Sequence, residues 1–465
     1  MATIYIETHG CQMNEADSND VAARAAASGY AVVERPEDAN VLVLNTCTVR
    51  DNAERRAYGR IHHFKELMSA DASVRLVVMG CLAEQDRDRM KNNAPHIDAV
   101  FGTKEIAELG DTLSAWRDDF TDTEYSEERA LLMPLGGTAD AVTDAYTHLR
   151  DFVTVQRGCS YYCTFCIVPH VRGRFDHRPS AEILSEVRAK VHAGAREIML
   201  VGQTVNAWRD PATGQDFASL CRDVAAVDGL ERITFISPHP KDFTEAMIAE
   251  FSRIPKLAPR IHLPLQSGSD AMLRRMNRKY TRAQFQERLD WIATYLPHWA
   301  VTTDIIVGFP GETDDDFEAT MEFVRSGVFA NAYMFIYSIR RGTPAARWEQ
   351  VDEVVKHERF VKLTDAQNAH VRAYNDRLIG RTVRGLIVGP SKKDRSKLTM
   401  KSGDNVTMIA PMPPEYDEQR YAREPWLDMI VDDARVWGCT GRIVRQAEHL
   451  EDEGVRVSAP MISLV

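Results

Sequence analysis

Hydrophobic residues in the first quarter of the chain form short β-rich runs that alternate with longer helical stretches. Three apolar runs, at 3–6, 41–44 and 76–79, are separated by segments of helical character such as 18–28 and 53–68. This order is typical of βαβ units, so we predict parallel strands. Right-handed crossovers bring the carboxyl ends of such strands to one edge of the sheet, where open α/β folds bind ligands.

The middle of the chain repeats this alternation over about 230 residues, which fits a parallel (β/α) barrel. Six units rather than eight predict an open, partial barrel with its active site at the carboxyl ends of the strands. The six β-rich runs are 152–155, 198–201, 233–236, 261–265, 301–307 and 333–337.

Short alternating runs near the end of the chain predict a small β-barrel. We therefore expect an α/β fold class with three structured parts. These are an N-terminal parallel-sheet α/β domain at 1–117, a partial (β/α)6 barrel at 151–380 and a small β-barrel at 381–465. A linker at 118–150 joins the first two.

Composition and charge restrict the cellular location and the partners that we expect for this protein. The chain has 465 residues, is 44% hydrophobic and carries a formal net charge of −11, so any nucleic acid must meet a local basic patch. No apolar run approaches the ~18 residues of a membrane helix, and the start lacks the features of a signal peptide. We predict a cytoplasmic protein without a membrane partner, whose cysteines are better explained by metals or catalysis than by disulfides. Cys221 and Cys439 are expected to be inert core thiols.

Three of these cysteines, Cys159, Cys163 and Cys166, follow the first β-rich run of the middle region with the spacing C-x3-C-x2-C. The next cysteine is Cys221, far outside this loop. A cubane held by three thiolates keeps one iron open, and the amino and carboxylate groups of S-adenosylmethionine are suited to chelate it. The alternatives are a structural zinc knuckle or buried free thiols.

The spacing, with Phe165 before the last cysteine, resembles the signature of the radical S-adenosylmethionine superfamily. The resemblance implies a [4Fe-4S] cluster and S-adenosylmethionine as cofactors. Gly202 and Gln203 occupy the place of the superfamily's Gly-rich turn for the methionine part of the cofactor, where Gln203 replaces the usual acidic residue. The competing interpretation is that these turn and strand-end residues only satisfy backbone groups. The implied cofactor contacts are Gly202, Gln203, Gln266, Asp304, Ile306 and Gly308, whereas the lone histidines His239 and His262 receive no role.

The three β-rich runs of the first region each lead into a cysteine: Cys11, Cys47 and Cys81. Neighbouring strands lie ~4.8 Å apart, so cysteines just past adjacent strand ends can share one cluster. Three ligands without a fourth predict a second iron–sulfur cluster with an open iron. The alternative is that cysteine merely fills small sites at strand ends.

The segments around these cysteines, at 8–14, 45–50 and 80–84, resemble the cysteine motifs of the methylthiotransferase family. The resemblance covers nearly the whole chain and implies an auxiliary [4Fe-4S] cluster and a C-terminal TRAM domain. It implies that one S-adenosylmethionine donates a methyl group to sulfur, while another is cleaved to a radical that activates a C–H bond. No catalytic side chain is assigned, because clusters and cofactor carry the chemistry.

Residues 12–14 and 276–282 are most similar to the branch that converts N6-isopentenyladenosine at position 37 of tRNA to its 2-methylthio derivative. Other branches act on threonylcarbamoyladenosine in tRNA or on an aspartate of a ribosomal protein. A non-catalytic iron–sulfur RNA-binding or electron-transfer protein is the alternative of another class. We expect a monomer that takes electrons from a donor such as flavodoxin or ferredoxin.

Basic residues cluster near the expected mouth of the barrel and at the start of the small β-barrel, as expected for contacts with unpaired RNA. Exposed, solvated faces and a barrel that only caps the middle region are the alternatives. The predicted RNA contacts are Arg172, Arg174, Arg278, Lys279, Tyr280, Arg384, Lys392 and Lys393.

Overall fold

The computed structural model describes residues 2–48, 51–120, 149–414, 421 and 423–444, apart from the side chains of 51–53 and 70. Two compact units make up this part of the chain. The first contains the described residues up to 120 together with 152–160 and 167–176, and the second contains 149–151, 161–166 and the described residues from 177 onward. Most of the predicted linker, the end of the second cysteine motif at 49–50 and the predicted barrel end at 445–465 lie outside the described residues. No helix in the described ranges is long and apolar enough to cross a membrane.

A five-stranded parallel sheet in the order β2-β1-β3-β4-β5 forms the centre of the first unit, as the alternation of the sequence predicts. Each strand is followed by a helical segment that carries the chain back across the sheet. All five strands therefore run in the same direction and end at the same edge. The strands are β1 Ala2–His9, β2 Tyr30–Val32, β3 Val41–Thr46, β4 Arg75–Gly80 and β5 Ala99–Phe101, and the helices are α1 Gln12–Ala27, α2 Asp51–Ala70, α3 Cys81–Asn93 and α4 Ile106–Trp116.

Alternate residues of β3 and β4 pack into two separate hydrophobic cores. Leu42 and Leu44 face α2 and α3, where Phe64 is fully buried. Val41 and Val43 face α1 and α4 on the other side. Since both faces of the sheet are covered, its strands are apolar throughout, as is usual for parallel sheets.

The second unit contains the parallel strands predicted for the partial barrel. β9 pairs with β10, and β12 lies between β11 and β13. Ile233 of β10 exchanges backbone hydrogen bonds with Lys256 and Ala258, just before β11, and so links the two sets. The first residues of β6 lie beside β9, where the Leu149 carbonyl accepts from the Arg196 N–H at 2.9 Å. The strands are β6 Arg150–Thr154, β9 Glu197–Val201, β10 Arg232–Phe235, β11 Arg260–His262, β12 Ala300–Val307 and β13 Asn331–Ile336.

Short elements and helices connect these strands. The short strands are β7 Gln156–Arg157 and β8 Asp176–His177, and the helices are α5 Val168–Val171, α6 Ser180–His192, α7 Phe217–Ala225, α8 Glu245–Phe251, α9 Asp270–Arg275, α10 Arg282–Tyr295, α11 Asp314–Arg325 and α12 Glu353–Asp376.

The predicted small barrel is confirmed as a closed barrel of five strands in the order β14-β15-β16-β18-β17. Arg232 at the start of β10 donates to the carbonyls of Lys401 and Ser402, which fixes this barrel against the amino ends of the central strands. The strands are β14 Thr382–Pro390, β15 Lys397–Ser402, β16 Thr407–Pro411, β17 Trp426–Arg435 and β18 Gly438–Val444.

Candidate functional site

Three cysteines lie at the carboxyl edge of the first sheet, as predicted. The neighbouring strands β1, β3 and β4 end in register, with His9 opposite Thr46 and Thr46 opposite Gly80. Cys47 and Cys81 follow directly after their strands, and Cys11 follows β1 after one intervening residue. The sheet therefore gathers three thiols that are far apart in the sequence.

A buried amide network holds the loops that carry these cysteines. Asn14 donates to the side-chain oxygen of Asn45 at 2.9 Å and to the Thr46 carbonyl at 3.1 Å. Asn45 returns a 2.8 Å hydrogen bond to the Asn14 carbonyl. Gly80 completes the close packing, because at φ 100° a Cβ would stand 2.4 Å from the Thr46 carbonyl oxygen. The position of each cysteine thus depends on residues from more than one motif.

Helix dipoles and a buried arginine attract negative charge to this edge, whereas burial opposes it. Cys11 caps the amino end of α1 and Cys81 is the first residue of α3, where the helix dipole attracts anions. A hydrogen bond shared with Cys47 and the nearby charge of Arg172 lower the pKa of Cys11 to about 6. Burial raises the pKa of Cys81, although Arg172 opposes this effect.

Among the residues that the structure describes, no three His, Cys, Asp or Glu side chains are grouped as ligands of a single metal ion. A [4Fe-4S] cubane binds each thiolate through a different iron, so its ligands need not converge on one point. Three thiols, two helix amino ends and one buried guanidinium fit an anionic cluster at this edge.

The central cysteines occupy one loop, and each is fixed by backbone contacts. In the first unit, the Cys159 N–H donates to the Gly173 carbonyl at 3.0 Å. Gly158 is required beside it, since at φ 73° a Cβ would meet the Arg174 carbonyl oxygen at 2.1 Å. In the second unit, the Cys166 N–H donates to the Cys163 carbonyl at 2.9 Å.

The segment that joins α9 to α10 supports the loop around Cys163. Asn277, held at φ 58°, donates to the carbonyls of Tyr161 and Tyr162 at 3.1 and 2.8 Å. The Thr164 N–H donates to the Met276 carbonyl at 3.0 Å. The basic segment at 274–282 therefore serves first as a scaffold for the cysteine loop, a role that charge alone did not indicate.

Two predicted RNA contacts are wrong because the side chains point inward. Arg172 and Tyr280 are only 5% and 4% exposed, so neither can reach an RNA strand. The Tyr280 hydroxyl donates to the carbonyls of Pro264 and Leu265. Arg278 is half-buried, and its guanidinium donates to the Cys163 sulfur at 3.3 Å, so its contact with RNA stays a prediction.

The other predicted RNA contacts lie on the surface. Arg174, Lys279, Lys392 and Lys393 are exposed, as is Arg384, which forms an ion pair with Asp428 at 2.9 Å. Their contact with RNA stays a prediction.

The predicted cofactor residues lie at strand ends of the second unit. Gly202 and Gln203 follow β9 directly. Gln266, held at φ 65°, takes the place of a strand residue beside β12: its N–H donates to the Asp304 carbonyl and its carbonyl accepts from Ile306. Gly308 follows β12 directly, and its N–H donates to the Glu312 carboxylate at 2.8 Å. Their contact with S-adenosylmethionine stays a prediction.

One face of β11 to β13 carries polar and aromatic side chains that the sequence analysis left unassigned. His262 lies 3.3 Å from Asp304, and its ring meets that of Tyr333 edge-on at 6.0 Å between centroids. Tyr333 and Phe335 are 46% and 38% exposed. The opposite face packs on α11 and α12, so these side chains point to the helix-free side of the strands. The sequence signal for this face was the alternation of side chains along β13, in which Tyr333 and Phe335 are two residues apart.

Comparison with known proteins follows the same division of the chain. The model of the uncharacterized protein family UPF0004 matches residues 3–102, and that of the radical SAM superfamily matches residues 153–324. The tRNA-2-methylthio-N(6)-dimethylallyladenosine synthase of Syntrophotalea carbinolica is 41% identical over 405 residues, which are 86% of this chain and 91% of that protein. The chain belongs to this synthase family.

Two further members of the synthase family show similar coverage. The synthase of Desulfitobacterium hafniense is 38% identical over 87% of this chain and 90% of its own length. That of Stenotrophomonas maltophilia is 35% identical over 95% and 93%. The similarity therefore extends through most of this chain and of each synthase.

A solved structure agrees at the level of fold. The radical S-adenosylmethionine methyltransferase TsrM from Kitasatospora setae, with cobalamin and a [4Fe-4S] cluster bound, superposes with a TM-score of 0.54 over 74% of this chain and 77% of that chain. The identity is 11%, so the likeness concerns the fold alone.

Proposed function

We propose that this protein is a tRNA methylthiotransferase that converts N6-isopentenyladenosine at position 37 to 2-methylthio-N6-isopentenyladenosine. The observation that carries the proposal is the pair of three-cysteine sets, one at the carboxyl edge of a parallel sheet and one in a single loop. Membership in the synthase family supplies the substrate class.

Two [4Fe-4S] clusters and S-adenosylmethionine supply the methyl group, the sulfur and the hydrogen-abstracting radical when bound. Cys159, Cys163 and Cys166 hold the central cluster, and Cys11, Cys47 and Cys81 hold the auxiliary one. The contacts of Arg172 and Arg278 with sulfur offset the negative charge of the thiolates.

The cofactor residues act mainly through position. The backbone hydrogen bonds of Gln266 with Asp304 and Ile306 fix its register beside the end of β12, which places the Gln266 and Ile306 side chains for contact with the adenine ring. Asp304, next to His262, offers carboxylate oxygens that accept hydrogen bonds from ribose hydroxyls. Gly202, Gln203 and Gly308 complete the set of strand-end contacts to S-adenosylmethionine.

The surface cations bind the tRNA strand around the modified base. Arg174 and Lys279 meet the anticodon stem-loop from the region of the central motif, and Arg384, Lys392 and Lys393 meet it from the small barrel. Because the cations at these places are separate small groups on an acidic protein, we expect binding that weakens steeply with salt.

The protein is also proposed to act as a cytoplasmic monomer that is reduced by a flavodoxin- or ferredoxin-type donor. Size-exclusion chromatography with light scattering tests the monomer. Reduction of the reconstituted clusters by each purified donor, followed by absorbance, tests the electron source.

The deciding experiment gives the anaerobically reconstituted protein two tRNAs, one bearing N6-isopentenyladenosine and one bearing threonylcarbamoyladenosine. Mass spectrometry of the digested RNA is expected to show a methylthio group on the first nucleoside only. Modification of only the second would overturn the substrate assignment. Failure to form 5′-deoxyadenosine with both clusters loaded would favour the non-catalytic iron–sulfur RNA-binding alternative.

A further inference from the structure

Arg172 occupies an unusual position for an arginine, because it is buried beside a cysteine thiol. It follows α5 directly and is only 5% exposed. Its Nε donates to the Cys81 sulfur at 3.2 Å. A buried guanidinium stays charged, and its burial costs free energy unless negative groups surround it. The negative groups beside Arg172 therefore indicate its role.

Among the described residues, the ion pairs of Arg172 do not balance the local positive charge. Its Nη2 donates to Asp17 at 2.9 Å, but Asp17 also forms an ion pair with Arg157. Two guanidinium groups therefore share one carboxylate. When Cys81 binds a cluster it is a thiolate, and it then supplies the missing negative charge at the sheet edge where Cys11 and Cys47 also lie.

Arg172 also ties together the elements that carry these cysteines. Asp17 lies on α1, which Cys11 caps, and Cys81 begins α3. One planar guanidinium thus bridges two of the three helical or loop segments at this edge. Lysine, with a single point charge, cannot reproduce two directed contacts of this kind.

The backbone next to Arg172 supports a cysteine of the other set. The Gly173 carbonyl accepts from the Cys159 N–H at 3.0 Å. Thr103 donates to the Val171 carbonyl at 2.6 Å, which anchors the segment from the side of the first sheet. Residues 171–173 consequently contact the sheet, the Cys81 thiol and the start of the central cysteine motif.

We infer that Arg172 is a positioning residue of the auxiliary iron–sulfur site, where its hydrogen bond to Cys81 orients this ligand and stabilises the reduced cluster by charge. The inference rests on the proposed function, because it requires a cluster at Cys11, Cys47 and Cys81. A cationic donor to a thiolate ligand makes addition of an electron more favourable, so it raises the reduction potential.

The test uses the full chain with Cys159, Cys163 and Cys166 changed to Ala, so that only the auxiliary cluster is loaded. Its midpoint potential is measured by redox titration followed by electron paramagnetic resonance. Arg172→Gln is expected to shift the midpoint to lower potential, and Arg172→Lys to shift it less. Arg24→Gln, an exposed arginine in the last turn of α1 and far from the sheet edge, is the control and is expected to leave the midpoint unchanged.

Equal midpoints for the parent and Arg172→Gln would overturn the inference. If neither Arg172 variant retains iron, the parent protein labelled with 15N-arginine decides, because a guanidinium that donates to the Cys81 sulfur couples magnetically to the reduced cluster. A 15N hyperfine coupling in pulsed electron paramagnetic resonance then supports the inference, and its absence overturns it. Absence of iron from the parent itself would instead overturn the auxiliary cluster of the proposed function, and the inference with it.

Discussion

The two cysteine sets reach a similar chemical arrangement by opposite routes. Cys159, Cys163 and Cys166 lie within eight residues of one loop, so the short chain between them keeps them near one another. The auxiliary cysteines come from three strand ends, and only the register of β1, β3 and β4 brings them to one edge. The first set is local in the sequence, and the second exists only in the folded sheet.

The hydrogen bonds that support the two cysteine sets also differ. A buried amide network between Asn14 and Asn45 joins two auxiliary motifs. The central loop is held mostly through its backbone, by Asn277 and Met276. In both sets an arginine donates to one sulfur, which shows that charge compensation is needed whichever way the thiols are gathered.

The largest expected effect comes from the central set. Cys163→Ala should abolish both 5′-deoxyadenosine formation and methylthiolation of tRNA, because two thiolates cannot keep the cluster that cleaves S-adenosylmethionine. Both products are measured by mass spectrometry after anaerobic reduction. Cys221→Ala, a fully buried cysteine of α7, is the control and should retain both activities. Undiminished 5′-deoxyadenosine from Cys163→Ala would contradict the role of the loop.

The auxiliary set should separate the two activities. Cys47→Ala is expected to form 5′-deoxyadenosine but no methylthiolated tRNA, because only the sulfur source is lost. The same assay measures both products. Full methylthiolation by this variant would show that the cluster at the sheet edge does not supply the sulfur. The proposed division between sulfur supply and S-adenosylmethionine cleavage would then be wrong.

A smaller effect is expected from the arginine of the central loop. Arg278→Gln removes the donor to Cys163 and should lower 5′-deoxyadenosine formation by about 10- to 100-fold, the range usual for partners of metal ligands. The initial rate at saturating S-adenosylmethionine and the iron content are measured together. Arg274→Gln, an exposed neighbour on α9, should behave as the unmodified protein. A rate loss shared by both variants would indicate a general charge effect instead.

The smallest effect concerns stability. Asn14→Ala leaves the Asn45 side-chain oxygen and the Thr46 carbonyl without a buried donor, which should destabilise the first unit by about 1–3 kcal/mol. Hydrogen exchange of β1 and β3 in the metal-free protein should accelerate accordingly, while that of β12 should not change. Asn92→Ala, on the exposed surface of α3, is the matched control. Unchanged protection in Asn14→Ala would mean that the network does not stabilise the sheet edge.

The sequence allowed most of the architecture to be predicted, because strand and helix periodicity are local properties. All six predicted β-rich runs of the middle region correspond to strands of the structure, and the small barrel closes as expected. Local charge was a poorer guide. Arg172 and Tyr280 were assigned to RNA because they are basic or aromatic and near the motif, yet they point inward to sulfur or backbone groups.

The amino-acid sequence by itself determined the spacing of the central motif, the alternation of strands and helices, and the placement of a cysteine after each of three strands. Each of these follows from residues close together in the chain. Only the tertiary structure decided which buried cation faces which thiol, since Arg172 and Cys81, or Arg278 and Cys163, are distant in sequence and meet through packing. Burial makes each of these arginine–sulfur contacts important for stability, because a charge removed from water costs free energy unless it has a partner within the fold.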